Sequence, residues 1–121
     1  MPNQPENFDW QSEEGQLAVD VIETRDAITI RAPIAGVKPE DLDIHVTGDL
    51  VTIRGERKQG RSYHDATVHF QECFWGAFSR SIILPHQVKP DESEAVLKDG
   101  ILTLTIPKVH GEMNVQVRED V

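Results

Sequence analysis

Ala95-Val96-Leu97-Lys98-Asp99-Gly100-Ile101-Leu102-Thr103-Leu104-Thr105-Ile106-Pro107-Lys108 decides the fold class of this chain. Leu102, Leu104 and Ile106 alternate with Thr103 and Thr105. A period of two puts branched apolar side chains on one face of a strand and hydroxyls on the other. Asp99-Gly100 suits a type I′ hairpin turn, which needs positive φ at both central residues. Outward from this hairpin the same period recurs. Ile28, Ile30 and Ala32 alternate with Thr29 and Arg31, and Leu42, Ile44 and Val46 with Asp43, His45 and Thr47. Val51 and Ile53 alternate with Thr52 and Arg54, while Phe78, Ile82 and Leu84 share a face. Leu17, Val19 and Val21 face one way, with Asp20 between them. Short runs with one apolar face each predict an all-β chain of antiparallel sheets packed face to face.

The punctuation agrees. Gly48-Asp49 suits a type II′ hairpin turn. Gly36 to Asp41 and Val88 to Glu92 each contain Val-Lys-Pro followed by two acids. Proline at a first helical position, with carboxylates beside it, predicts a single helical turn before the next strand. The two hairpins echo each other, and similar punctuation explains the echo without duplication.

At 121 residues the chain is expected to be one domain with a modest core. A net charge of −9, from 21 acidic against 12 basic residues, argues against nucleic acid and anionic membrane surfaces as partners. Cys73 is the one cysteine, so no internal disulfide is expected. No apolar run approaches the roughly 20 residues of a membrane span. Met1 to Gly15 lacks the basic and apolar regions of a secretory signal, and a cytoplasmic location is expected. Residues 1–16 read as a short acidic flexible arm with Phe8 and Trp10 as its anchors, 17–108 as the folded domain and 109–121 as a tail.

Nothing in the chain carries a catalytic signature. His45, His64, His69, His86 and His110 show no metal-ligand spacing, and His45 is expected to face solvent. There is no nucleophile elbow, phosphate-cradling loop or dinucleotide fingerprint, and Cys73 has no activating neighbour in sequence. No catalytic, cofactor-binding or metal-binding residue is therefore assigned. Function by binding is the expectation.

Two segments carry a family likeness. Gly76-Ala77-Phe78-Ser79-Arg80-Ser81-Ile82-Ile83-Leu84-Pro85 and Ala95 to Lys108 resemble the G-x-F-x-R-x-x-x-L-P stretch and the terminal hairpin of the α-crystallin domain of small heat-shock proteins. Ala35 to Asp43, with Thr52 to Lys58, is similar to a third segment of that family. The likeness runs from Leu17 to Lys108 and is of the bacterial and plant type.

The resemblance implies an immunoglobulin-like antiparallel β-sandwich whose homodimer forms by strand exchange. It places a projecting loop at Gln59 to Ala66, an exchanged strand at Thr67 to Glu72 and a receiving strand at Leu17 to Ile22. Candidate dimer-interface residues are then Leu17, Val19, Val21, Val68, Phe70, Glu72 and Arg80. An intrachain hairpin of Thr67–Glu72 with Phe78–Leu84 is the alternative pairing. Arg80 shares its alternation with Phe78 and Ile82, so a carboxylate partner is expected for it, within the chain or across the dimer. The resemblance also implies that Val115-Gln116-Val117 docks in another subunit's groove, lined by Leu42 and Ile44 on one edge and Ala95 and Leu97 on the other; a disordered tail is the alternative. Burying two valines yields at most roughly 3–6 kcal/mol, and ordering each tail residue costs about 1–2 kcal/mol. Each tail contact is therefore marginal, and higher homo-oligomers need several at once. Phe8, Trp10, Phe74 and Trp75 are the candidate contacts for partly unfolded client proteins. The implied activity is that of an ATP-independent holdase, against two rivals: a co-chaperone of the CS-domain type and a plain β-sandwich interaction module.

Overall fold

A computed structural model describes residues 15–110 and 115–120. Within it, eight strands form two four-stranded sheets. The strands are β1 (Gly15–Gln16), β2 (Asp20–Glu23), β3 (Ala27–Pro33), β4 (Leu42–Thr47), β5 (Leu50–Arg57), β6 (Gly76–Ile83), β7 (Glu94–Lys98) and β8 (Ile101–Pro107). One sheet runs β1-β6-β5-β4 and the other β2-β3-β8-β7. Every pair is antiparallel except β1 with β6, which is parallel.

The turn chemistry explains both tight hairpins. Asp99 and Gly100 have φ of 54° and 76°, the two positive values a type I′ turn demands. Gly48 has φ of 55° and Asp49 is not in the left-handed region, as a type II′ turn requires. Single 3₁₀ turns occupy Pro39–Asp41 and Pro90–Glu92, each opening on its proline.

The core is what the alternation predicts. Ile28, Ile30 and Ala32 of β3 and Leu102, Leu104 and Ile106 of β8 are buried on one sheet. Val51 and Ile53 of β5 and Phe78 of β6 are buried on the other. His45 is exposed on the outer face. Phe78 lies directly opposite Gly55, and a Cβ at Gly55 would stand 2.6 Å from the ring, so β5 needs glycine there.

The structure corrects the run Leu17 to Ile22. It is no single strand: β1 ends at Gln16 on one sheet and β2 begins at Asp20 on the other. Leu17 to Val19 are the crossing between layers. Leu17 donates its amide to the Ser79 carbonyl at 3.2 Å and turns its side chain into the core. Val19 packs against that core, and of the run's large apolar side chains only Val21 and Ile22 stay substantially exposed. The alternation read in sequence came from a crossover that buries what it passes.

Because β1 continues into β2 after three residues, these two edges lie at one end of the sandwich. β4 and β7, the remaining edges, lie at the other.

Candidate functional site

Gln59 to Trp75 belongs to no strand, and every residue in it is exposed. The alternative intrachain hairpin is not formed, because β6 is already flanked by β5 and β1. Val68 is 59% and Phe70 85% exposed, in a segment that alternates like a strand and pairs with nothing among the described residues. Tyr63, Val68, Phe70 and Trp75 line an open hollow of about 540 Å³. Aromatic and β-branched side chains in water, beside unpaired backbone groups, leave this loop with apolar surface and hydrogen-bonding capacity to offer a partner.

The matching vacancy is the outer edge of β2. Among the described residues this four-residue strand pairs only with β3, and Val21 and Ile22 on it are 41% and 46% exposed. Of the predicted interface residues, Val21, Val68, Phe70 and Glu72 are thus available, Val19 is half-buried and Leu17 belongs to the core.

Within the single chain, Arg80 meets a main-chain oxygen and not a carboxylate. Its side chain shares the inward face, with Ile53 directly across in β5. Its Nη1 donates to the Leu17 carbonyl oxygen at 2.8 Å, and no carboxylate pairs with it among the described residues. That bond to a main-chain acceptor at the layer crossing lets Arg80 staple β1 to β6 where the chain leaves the sheet. Arg80→Ala leaves that carbonyl unpaired and is expected to cost about 1–3 kcal/mol in chemical denaturation. An unchanged midpoint would contradict the staple.

At the opposite end, Leu42 and Ile44 of β4 and Leu97 of β7 are half-buried against the core, and Ala95 is exposed. Both strands present unpaired edges, as a groove for an extended peptide needs. Val115 and Val117 are 81% and 92% exposed, so the tail does not sit in its own groove. Phe74 packs its ring within 3.0 Å of the position a Gly15 Cβ would take, and Trp75 is 41% exposed on the hollow. Phe8 and Trp10 lie outside the described residues.

One feature escaped sequence reasoning. Lys108, which follows β8, is buried, with Nζ donating to Glu23 Oε2 at 2.6 Å and to the Thr24 carbonyl at 3.0 Å. Chiefly that hydrogen bond, joined by the charges of Lys108 and His86 and opposed by partial burial, holds the Glu23 carboxyl below its usual range. A lowered carboxyl contributes stability above its unfolded-state pKa, which is lost as pH falls through the folded-state one. Glu23→Gln should therefore be less stable than the parent at neutral pH, with the gap closing on acidification below the carboxylate range. A gap that persists unchanged in acid would sink the link. No signal in sequence pairs residues this far apart.

No metal-ligating cluster occurs among the described residues, and no helix there is long and apolar enough to cross a membrane.

Comparison with known proteins places this geometry. Residues 20–119 match the model of the Hsp20/alpha crystallin family. The chain is 37% identical over 91 residues to spore protein SP21 of Stigmatella aurantiaca, covering 75% of this chain and 54% of that one. It is 38% identical over 92 residues to the 17.6 kDa class I heat shock protein 1 of Arabidopsis thaliana, covering 75% and 59%. The chain thus spans little more than half the length of these relatives. Among solved structures, heat shock protein 16.0 from Schizosaccharomyces pombe superposes with a TM-score of 0.74 at 31% identity, covering 88% of this chain and 100% of that one. A small heat-shock protein from Xylella fastidiosa gives 0.71 at 25% identity, covering 87% and 96%.

Proposed function

Because the chain belongs to the Hsp20/alpha crystallin family, we propose that it works as an ATP-independent holdase, capturing partly unfolded proteins in the cytoplasm. The observation that carries this reading is the unpaired apolar segment Thr67–Glu72 beside an open hollow, together with the open edge of β2. A second copy's Thr67–Glu72, added to the β2 edge, satisfies backbone groups on both and covers Val68, Phe70, Val21 and Ile22. The result is a strand-exchanged homodimer.

Capture itself is association, with no bond made or broken. A client that has lost its packing exposes apolar side chains and strand edges, and these match what the dimer still leaves uncovered, the edges of β4 and β7. Phe74 and Trp75, near the exchanged strand, supply aromatic contact area, with Phe8 and Trp10 of the arm. The Val115-Gln116-Val117 tail links dimers through the Leu42, Ile44, Ala95 and Leu97 groove, and each such contact is weak enough to exchange. The negative charge keeps loaded complexes apart in solution.

The test is heat-induced scattering from an aggregating client, with the full chain added and nucleotide absent. Scattering suppressed in proportion to added chain supports the reading. Scattering unaffected at several-fold excess removes it and leaves an interaction module.

A further inference from the structure

Thr67–Glu72 hangs from the sandwich by two unequal legs. Residues 58–66 lead out from β5, whereas only Cys73, Phe74 and Trp75 lead back to β6. Arg57 and Gly76, where the legs leave the body, stand directly opposite each other. The short leg therefore decides where the strand can go, and it is held partway along. Phe74 rests the tip of its ring on Gly15 of β1. A Cβ on Gly15 would stand 3.0 Å from Cζ, 3.1 Å from Cε2 and 3.4 Å from Cε1, and one on Gly76 would stand 3.7 Å from Cζ. The ring tip thus fills room left by two glycines, one on each of the paired strands β1 and β6. We propose that Phe74 is a positioning residue for strand exchange: seated on Gly15 and Gly76, it fixes the point from which Thr67–Glu72 leaves the body. The proposal rests on the strand-exchange reading above.

Symmetry gives the pin its direction. In a two-fold pair each copy's short leg must reach the other's β2 while the reverse contact forms at the same time. That closes compactly when exit point and receiving edge lie at the same end of one chain. The seat meets this condition, because only residues 16–19 separate Gly15 from β2.

The pin also shortens the tether. With Phe74 seated, Cys73 alone lies between the pin and Glu72. Glu72 is then two residues, about 7 Å, from a fixed point at roughly 3.3 Å per residue. With the ring free, the fixed point retreats to Gly76, four residues and about 13 Å away. Effective concentration falls roughly as the −3/2 power of tether length once the tether exceeds its span. Doubling the leg therefore weakens exchange about threefold per strand, and roughly eightfold for the two strands of a dimer. Gly15 is not among the residues with positive φ, so a side chain there meets the ring without straining the backbone.

The experiment is a cycle of full-length chains: parent, Phe74→Ala, Gly15→Val and the double variant, with the dimer dissociation constant read by sedimentation. Phe74 is 43% exposed and stands outside the core, so its loss leaves the core whole. One substitution removes the pin and the other fills its seat. Each should raise the constant roughly eightfold, and the double variant should raise it no further. Phe74→Leu, whose side chain still reaches the seat, should recover most of the loss. Effects that multiply in the double variant, an unchanged constant in both single variants, or a tighter dimer on Phe74→Ala would each overturn the pin while leaving exchange in place. Hydrogen exchange at Val68 and Phe70 in the dimeric parent separates the two readings. Protection there upholds strand exchange whatever the cycle shows, and exchange at the rate of a free peptide would remove strand exchange and the pin together.

Discussion

Phe78→Ala should cost about 3–5 kcal/mol of stability, and the site's geometry puts the loss toward the top of that range. The ring is 4% exposed, and it occupies the space that Gly55 leaves by having no side chain. A Cβ at Gly55 would stand 2.6 Å from Phe78 Cζ and 2.9 Å from Leu42 Cδ2. Arg57 covers the ring at 5.8 Å from its centroid, with its own Nε tied to the Ala35 carbonyl at 2.8 Å. Removing the ring therefore opens a cavity whose floor is backbone and whose roof is pinned, and neither can collapse into it. Gly55→Ala alone forces the ring aside and should cost about 1–3 kcal/mol. In the Phe78→Ala background the same methyl has room, so the double variant should be more stable than the sum of the two losses allows. Chemical denaturation at one fixed protein concentration reads all three. Additive losses, or a Phe78→Ala loss near zero, would show that ring and glycine are not coupled.

The hairpins were legible in sequence because their turns need particular residues. Asp99-Gly100 and Gly48 take the positive φ values their positions dictate, and strong alternation on both sides fixes which face is buried. Pro39 and Pro90 set their 3₁₀ turns for the same local reason. What sequence concealed was decided by partners. Leu17 and Val19 alternate with polar residues like a strand, yet they mark a passage between sheets. β7 left no clear period, since Ala95 and Val96 lie exposed at an edge and only Leu97 is half-buried. The partner Arg80 finds within one chain is a carbonyl oxygen, a group every residue has, so composition gives no hint of it. The grip of Lys108 on Glu23 spans most of the fold's length and depends on β3 lying between β2 and β8. Of the proposed site, the loop and its apolar alternation were legible, and β4 and β7 both stand at sheet edges.

Val68→Asp with Phe70→Asp should abolish the dimer while leaving the single chain folded. Both side chains are mostly in water within one chain, so the substitutions remove little intrachain packing. In the exchanged dimer each is covered, and full burial of a valine or phenylalanine is worth about 1.5–3 kcal/mol. Losing both from each of two copies, four side chains in all, raises the dissociation constant by at least roughly four orders of magnitude, before the cost of burying carboxylates is added. Sedimentation should then give a monomer at concentrations where the parent is dimeric, with an unchanged β-sheet circular dichroism spectrum. A dimer that persists with parental affinity would place the interface elsewhere.

The account turns on the claim that Thr67–Glu72 is a strand awaiting a neighbour's edge. Amide hydrogen exchange at these residues tests it most directly, because none is in a strand or buried within one chain. Concentrated protein should protect the alternate amides that face the partner's β2, and dilution into monomer should return them to the rate of an unstructured peptide. Exchange at that free rate while the protein is fully dimeric would contradict strand exchange.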